Sequence, residues 1–231
     1  MMPTVLPNND LPSHAADAEL VLLYADDCLL VLDKPSGLLA VPGRGEDKQD
    51  CLSARVQRHY PNALVVHRLD MATSGLMLMA RGIAMQRVLA KSFEDRQVHK
   101  RYVAVVEGCL LRAESADGWG LIDLPITVDW PRRPLRIIDA ARGKPSQTRW
   151  RVVAFDEAGS STRVALEPLT GRSHQLRVHL QALGHPILGD ALYAPEAVQA
   201  RADRLLLHAC TLGLAHPLSG QLMRFKSPPP F

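Results

Sequence analysis

Between the apolar runs at 64–66 and 76–80 lies a polar stretch, His67-Arg68-Leu69-Asp70-Met71-Ala72-Thr73-Ser74-Gly75. It puts a cation, an acid, two hydroxyls and a glycine into one short loop. A loop pinned by strands at both ends can aim a catalytic group. Asp70 is the only carboxylate between Asp50 and Glu94, so it has no acidic neighbour in sequence to work with as a pair. Residue types alone also fit a plain turn, with Asp70 capping backbone N–H groups and Arg68 solvated. The His-Arg-x-Asp order is shared with kinase catalytic loops, but no Gly-rich phosphate loop and no D-F-G accompany it.

A second constellation is Thr170-Gly171-Arg172-Ser173-His174-Gln175-Leu176-Arg177-Val178-His179. Read as a helix, it sets His174 and Arg177 three apart on one face, away from a stripe of Leu176, Leu180 and Leu183. Its start is a natural anion site, with Arg172 beside it. His174 and His179 are five apart, a poor spacing for two metal ligands on a helix. A third is Asp129-Trp130-Pro131-Arg132-Arg133-Pro134-Leu135-Arg136. Residues 130–151 hold seven bases, among them Lys144, and one acid, Asp139. That pattern fits a phosphate-gripping loop or a merely solvated one. Lys100-Arg101-Tyr102 sets a phenol at the head of an apolar strand, where a tyrosine usually packs with a wet tip.

The elements that must position these groups follow from periodicity. Short apolar runs at 20–24 and 28–32 flank Ala25-Asp26-Asp27 and predict a hairpin. Asp50 is a candidate N-cap for a short helix with Leu52, Val56 and Tyr60 on one face. The run at 76–80 is apolar at every position and predicts a strand covered on both faces. A helix after Gly82 would show Met85, Val88, Leu89 and Phe93 as its stripe. Further strands are predicted at 64–66, 102–106, 121–122, 150–155, 164–166 and 205–207. A helix over 171–183 would end at Gly184. Strands come in runs without regular βαβ alternation, which predicts an α+β fold with a mixed, mostly antiparallel sheet. Residues 1–18 read as a loose tail and 19–231 as one domain.

The 231 residues are 47% hydrophobic and 22% charged, the composition of a globular protein. No apolar run approaches the ~20 residues of a membrane span, and the first residues lack the basic and apolar parts of a secretory signal. The expected address is therefore the cytoplasm. Cys28, Cys51, Cys109 and Cys210 form no C-x-x-C pair and are expected to be buried, metal-free thiols. Net charge is +3, but residues 1–33 carry six acids and no base, so the remainder holds 27 bases against 18 acids. Of those bases 21 are Arg, a flat fork of donors suited to phosphate and base edges. An acidic start on a basic, Arg-rich body is compatible with nucleic-acid binding.

Taken together, these motifs resemble the RluA family of RNA pseudouridine synthases. His67-Arg68-Leu69-Asp70 with Thr73-Ser74-Gly75 looks like its catalytic motif. Lys100-Arg101-Tyr102-Val103-Ala104 looks like its tyrosine motif, and Gly171-Arg172-x-His174-Gln175-Leu176-Arg177 its arginine motif. Leu39-Ala40-Val41-Pro42-Gly43-Arg44, Asp129-Trp130-Pro131 and Gly143-Lys144-Pro145-Ser146-Gln147-Thr148 are similar to its dual-specificity members. Those act on uridine 32 of tRNA anticodon loops and uridine 746 of 23S rRNA. The resemblance spans Leu20 to the C-terminus.

It implies a pseudouridine synthase fold without an N-terminal S4 domain, and tRNA and 23S rRNA as partners of a monomer with no protein or membrane partner. The uridine isomerisation is neither redox nor hydrolysis, so no cofactor and no metal are implied. By the same resemblance Asp70 is the catalytic carboxylate, acting as nucleophile or as base. Arg177 pairs with it, and Tyr102 stacks on the uracil and moves a proton. Arg68, His67, Leu176, Arg172 and His174 bind the nucleotide, with Arg68 entering the gap left by a flipped base. Arg132, Arg133, Arg136 and Lys144 grip the RNA backbone. The alternatives are a single-substrate rRNA enzyme of the same family and a non-catalytic RNA-binding or ribosome-assembly module.

Overall fold

In the computed structural model, which describes residues 20–158 and 160–231, the apolar runs become strands of one large sheet. The tail expected at 1–18 lies outside the described residues. β1 (Val21–Ala25) and β2 (Leu29–Lys34) form the expected hairpin. Asp26 closes its turn by accepting the N–H groups of Cys28 and Leu29 at 2.7 and 2.8 Å. There follow β3 (Ala63–Val65), β4 (Ser74–Arg81), β5 (His99–Glu107), β6 (Gly120–Asp123), β7 (Ile126–Val128) and β8 (Arg136–Ile138). β9 (Gln147–Asp156), β10 (Ser161–Pro168), β11 (Leu207–Ala215) and β12 (Leu222–Lys226) complete the strands. The main sheet runs β1-β2-β4-β11-β5-β10-β9-β6, with β3 beside β4 and β12 beside β11. Its strands pair antiparallel except β4 with β11, as the α+β reading expects. β7 and β8 pair only with each other, as a separate hairpin.

β4 carries the polar loop at its N-terminal end and is buried along nearly its whole length, paired with β2, β3 and β11. Met77 and Met79 pack on one face with Leu30, Leu32 and Leu69. Leu76, Leu78 and Ala80 pack on the other, with Leu89 of α2 (Gly82–Glu94). Each of these Leu and Met side chains contributes roughly 1.5–3 kcal/mol on burial. A further core gathers Val106, Val164, Leu166, Leu176 and Leu180, the last two from α3 (Gln175–Ala182). Tyr102 touches this core and that of Leu30 and Met77, so it marks the seam between the two halves of the sheet.

Several expectations are corrected. Asp50 does not cap α1 (Leu52–His59): the Cys51 thiol accepts from Ala54 N–H, and Asp50 instead takes the Arg55 fork at 2.8 and 2.6 Å. Val88, counted in the α2 stripe, is exposed. α3 begins at Gln175 rather than Gly171, because His174 is left-handed (φ 57°) and the Gln175 amide oxygen accepts from Arg172 N–H and the Thr170 hydroxyl. β11 runs far beyond 205–207, since His208, Cys210, Thr211 and Gly213 interrupt its apolar pattern without ending its pairing. β7, β8 and β12 are too short or too half-exposed to read from periodicity. Cys28 and Cys51 are buried as expected, but Cys109, on the loop after β5, is exposed. No helix among the described residues is long and apolar enough to cross a membrane.

Candidate active site

The loop at 67–75 is clamped from below by the segment after β2. Met71 C=O accepts from Gly37 N–H at 2.9 Å, and Ala72 C=O from the Ser36 hydroxyl at 2.7 Å. Lys34 is 0% exposed and its ammonium donates to the carbonyls of Pro35, Leu38 and Met71 at 2.7, 2.7 and 3.0 Å. Burial pulls Lys34 down to about 8, with the Asp70 charge working the other way. Lys34→Met is expected to strand three carbonyls at about 1–3 kcal/mol each where buried. The measurement is urea unfolding: the midpoint should fall clearly, and an unchanged midpoint would deny the clamp. Behind the loop β4 and β11 run too close for a side chain at Gly75, where a Cβ would sit 2.4 Å from Ala209 O and where φ is +108°. The glycine thus lets the loop lie against the strand that leads to Tyr102's neighbours.

Above this floor three elements converge on Asp70. Its side chain is 28% exposed and lies 3.5 Å from Arg177 Nη1 and 3.9 Å from His174 Nε2. Arg177, from α3, is 5% exposed at its side chain and is held mainly by Asp190, with Nε–Oδ2 at 2.8 Å and Nη2–Oδ1 at 2.6 Å. Burial opposes the Arg177 charge, but Asp190 and then Asp70 outweigh it and raise its pKa. Asp190 is fully buried, and one oxygen also accepts from the N–H groups of Leu192 and Tyr193. Gly189 makes that turn possible, since its φ is +74° and a Cβ there would lie 1.9 Å from Arg204 O. Arg177 also stacks on the Tyr193 ring at 4.9 Å.

Tyr193 fixes His174. Burial pushes its phenol up to about 12, so it keeps its proton. It accepts from Arg136 N–H at 2.9 Å, which leaves its own O–H for His174 Nδ1 at 2.6 Å. The other ring nitrogen, Nε2, then carries the N–H that faces Asp70. Burial lowers the His174 pKa, against the pull of Asp70, so the ring is neutral. Tyr102 joins from β5. Burial first, then the Asp70 charge, drives its phenol upward, so it enters the site as a proton donor.

The remaining expected residues divide. Arg68 is exposed at the lip of the cleft and makes no hydrogen bond or ion pair among the described residues. Leu176 is buried in the core beneath the cleft. Arg172 is exposed and reaches Pro145 O at 3.3 Å. Arg136 lines the cleft, Lys144 is exposed, and Arg133 lies over the Trp130 ring at 4.8 Å. Arg132 is taken by Asp129 at 2.7 Å, so it is a weaker backbone grip than its neighbour. His67 lines the same cleft. Its Nε2 accepts from Leu78 N–H at 2.9 Å, its ring stacks on Phe93 at 4.5 Å, and burial brings its pKa down to about 3, so it is a neutral ring held between β4 and α2. The sequence reading missed Asp190, Tyr193 and Lys34.

The cleft measures about 2020 Å³. That exceeds the 300–1,000 Å³ typical of a small-molecule site and suits a polymer with one residue drawn inward. A lone carboxylate beside a buried guanidinium and a phenol that keeps its proton offers one nucleophile or base and one acid. A family model described as RNA pseudouridylate synthase matches residues 28–182. The chain is 51% identical over 212 residues to the dual-specificity RNA pseudouridine synthase RluA of Escherichia coli K12, covering 92% of this chain and 94% of that one. It is 49% identical to the protein of the same name from Yersinia pestis over 90% of this chain and 98% of that one. Among solved structures, human RNA pseudouridylate synthase domain containing 1 is similar with a TM-score of 0.74 at 29% identity, over 100% of this chain and 87% of that one.

Proposed function

The chain belongs to the RNA pseudouridylate synthase family, in its RluA branch, and we propose that it turns uridine into pseudouridine in structured RNA through Asp70. The observation that carries this reading is the Asp70 carboxylate, 3.5 Å from Arg177, in the cleft that Tyr102 also lines and close enough for its charge to act on that phenol. The targets are a tRNA anticodon loop and 23S rRNA. Both present unpaired uridines, and a loop base leaves its stack at a cost of only a few kcal/mol. Arg68, unpaired and at the lip, fills the vacated space.

With the uridine extruded, Asp70 acts at the ribose, as nucleophile on C1′ or as base at C2′. The N1–C1′ bond breaks, the uracil turns, C5 bonds to C1′, and the C5 proton leaves. Arg177 holds the carboxylate in line while Asp190 keeps that guanidinium from collapsing onto it. The neutral His174 offers Asp70 an N–H without adding a second charge. Tyr102 holds its proton through burial first and the Asp70 charge second. It can give that proton to the freed uracil N1 and take the C5 proton in its place, so the phenol ends as it began. The site is complete within one chain, which suits a monomer.

The test is tritium release from 5-tritiated uridine in an anticodon stem-loop and in a 23S rRNA hairpin. Release from both, with the modified positions mapped, is expected. Stable tritium in every RNA would leave only a binding module. Arg68→Ala should cut turnover about 100-fold, as a 1 Å misplacement can, while leaving the melting temperature in place. Equal losses of both would mean a structural role. Arg133→Ala should reduce the slope of log affinity against log salt by about 0.7–0.9, one phosphate contact. Arg132→Ala should change it less, because Asp129 already takes that charge.

A further inference from the structure

The Trp130 side chain is 66% exposed at the tip of the β7–β8 hairpin. Of the three tryptophans it alone stands in solvent. Trp150 packs on the core of Leu166 and Leu176, and Trp119 lies under the guanidiniums of Arg101, Arg149 and Arg151. The tip is rigid. The buried Asp129 carboxylate accepts from Arg132 Nε at 2.7 Å, Asp129 N–H donates to Leu135 O at 3.1 Å, and Leu135 N–H donates to Arg132 O at 3.0 Å. The backbone that carries the indole is thereby held in place, which lowers the ordering cost of binding. The base of the same hairpin enters the site, through Arg136 N–H on Tyr193 and thence His174 beside Asp70.

A flat aromatic face with the Arg133 cation over it at 4.8 Å matches the flat faces of nucleobases. A phosphate has no use for the indole. An apolar protein partner would meet the charges of Arg132 and Arg133, which interface cores avoid. We propose that Trp130 is a stacking platform for an unpaired base of the substrate RNA, a loop neighbour of the extruded uridine. The inference rests on the cleft being an RNA site and deepens that reading. When the uridine leaves the stack its neighbours lose a partner. Trp130 supplies one with another and offsets part of the flipping cost.

The experiment is fluorescence anisotropy of a labelled anticodon stem-loop. Trp130→Ala should weaken binding about tenfold, within the range of base–aromatic stacking. Trp130→Phe should stay within about threefold of the unaltered protein. The salt slope should not change, since no charge is lost. Loop bases are then replaced one at a time by abasic sites. One position should weaken binding to the unaltered protein about tenfold and leave Trp130→Ala unaffected. Unaltered affinity in Trp130→Ala, or abasic losses equal in both proteins, would overturn the proposal. Tritium release is read separately. RNA binding through Trp130 without release would sink the catalytic reading alone, and release with Trp130-independent binding would sink the platform alone.

Discussion

Asp70→Asn is expected to give a folded chain that binds RNA and releases no tritium, a loss of at least about 10⁴-fold in turnover. The amide matches the carboxylate in shape, so the turn from Asp70 O to Thr73 N–H and the clamp on Met71 survive. Arg177 does not become an orphaned buried charge, because Asp190 still grips it at 2.6 and 2.8 Å. What disappears is the anionic oxygen 3.9 Å from His174 Nε2, whose charge also acts on Tyr102. An amide neither attacks C1′ nor takes a proton from C2′, so the fall is of chemistry and not of binding. Melting temperature and RNA affinity close to those of the unaltered protein are part of the expectation. A variant that retains a tenth of the activity would remove Asp70 from the reaction.

Asp190→Asn should do the reverse: unfold more easily and bind RNA less tightly as the site loosens. Arg177 and Asp190 are both buried, and breaking such a pair from one side costs about 3–5 kcal/mol. In a chain of 231 residues each kcal/mol moves the melting temperature by about 2–4 °C, so a drop on the order of 10 °C is expected. The amide oxygen can still accept from Leu192 and Tyr193 N–H, so the damage is confined to Arg177, which loses both its counter-charge and the acceptor of its Nε–H. Arg177 then has only Asp70 as a counter-charge and closes the 3.5 Å gap. A carboxylate drawn off its line by about an ångström can lose about 10²-fold in rate. Calorimetry with tritium release checks both limbs. A stable, active Asp190→Asn protein would mean that Arg177 is held by something else.

The catalytic loop was legible because its polar residues interrupt two apolar runs, and Asp70, Tyr102 and Arg177 were legible through the resemblance their motifs carry. Their support was not. Asp190 meets Arg177 only after the chain has passed α3 and turned at Gly189, a contact no spacing rule encodes. Lys34 gave no signal in the sequence, since lysine is rarely buried. Its burial needs three carbonyls, one of them 37 residues away at Met71. His67 and Arg68 were both read as nucleotide-binding from the resemblance; both line the cleft, but the His67 ring is already held by Phe93 and Leu78 N–H, whereas Arg68 has no such partner among the described residues. Tyr193 carried no signal at all, being one tyrosine in a turn whose roles come from Arg136 of β8 and from His174 and Arg177 at the start of α3.

The most direct measurement is a crystal structure of the Asp70→Asn protein with an anticodon stem-loop, read for one distance. A target uridine swung out of its stack, its C1′ about 3–3.5 Å from the substituted side chain at position 70, its ring against Tyr102 and the Arg68 guanidinium in the gap is the predicted result. A uridine still stacked in its loop, or bound with C1′ beyond reach of residue 70, would contradict it.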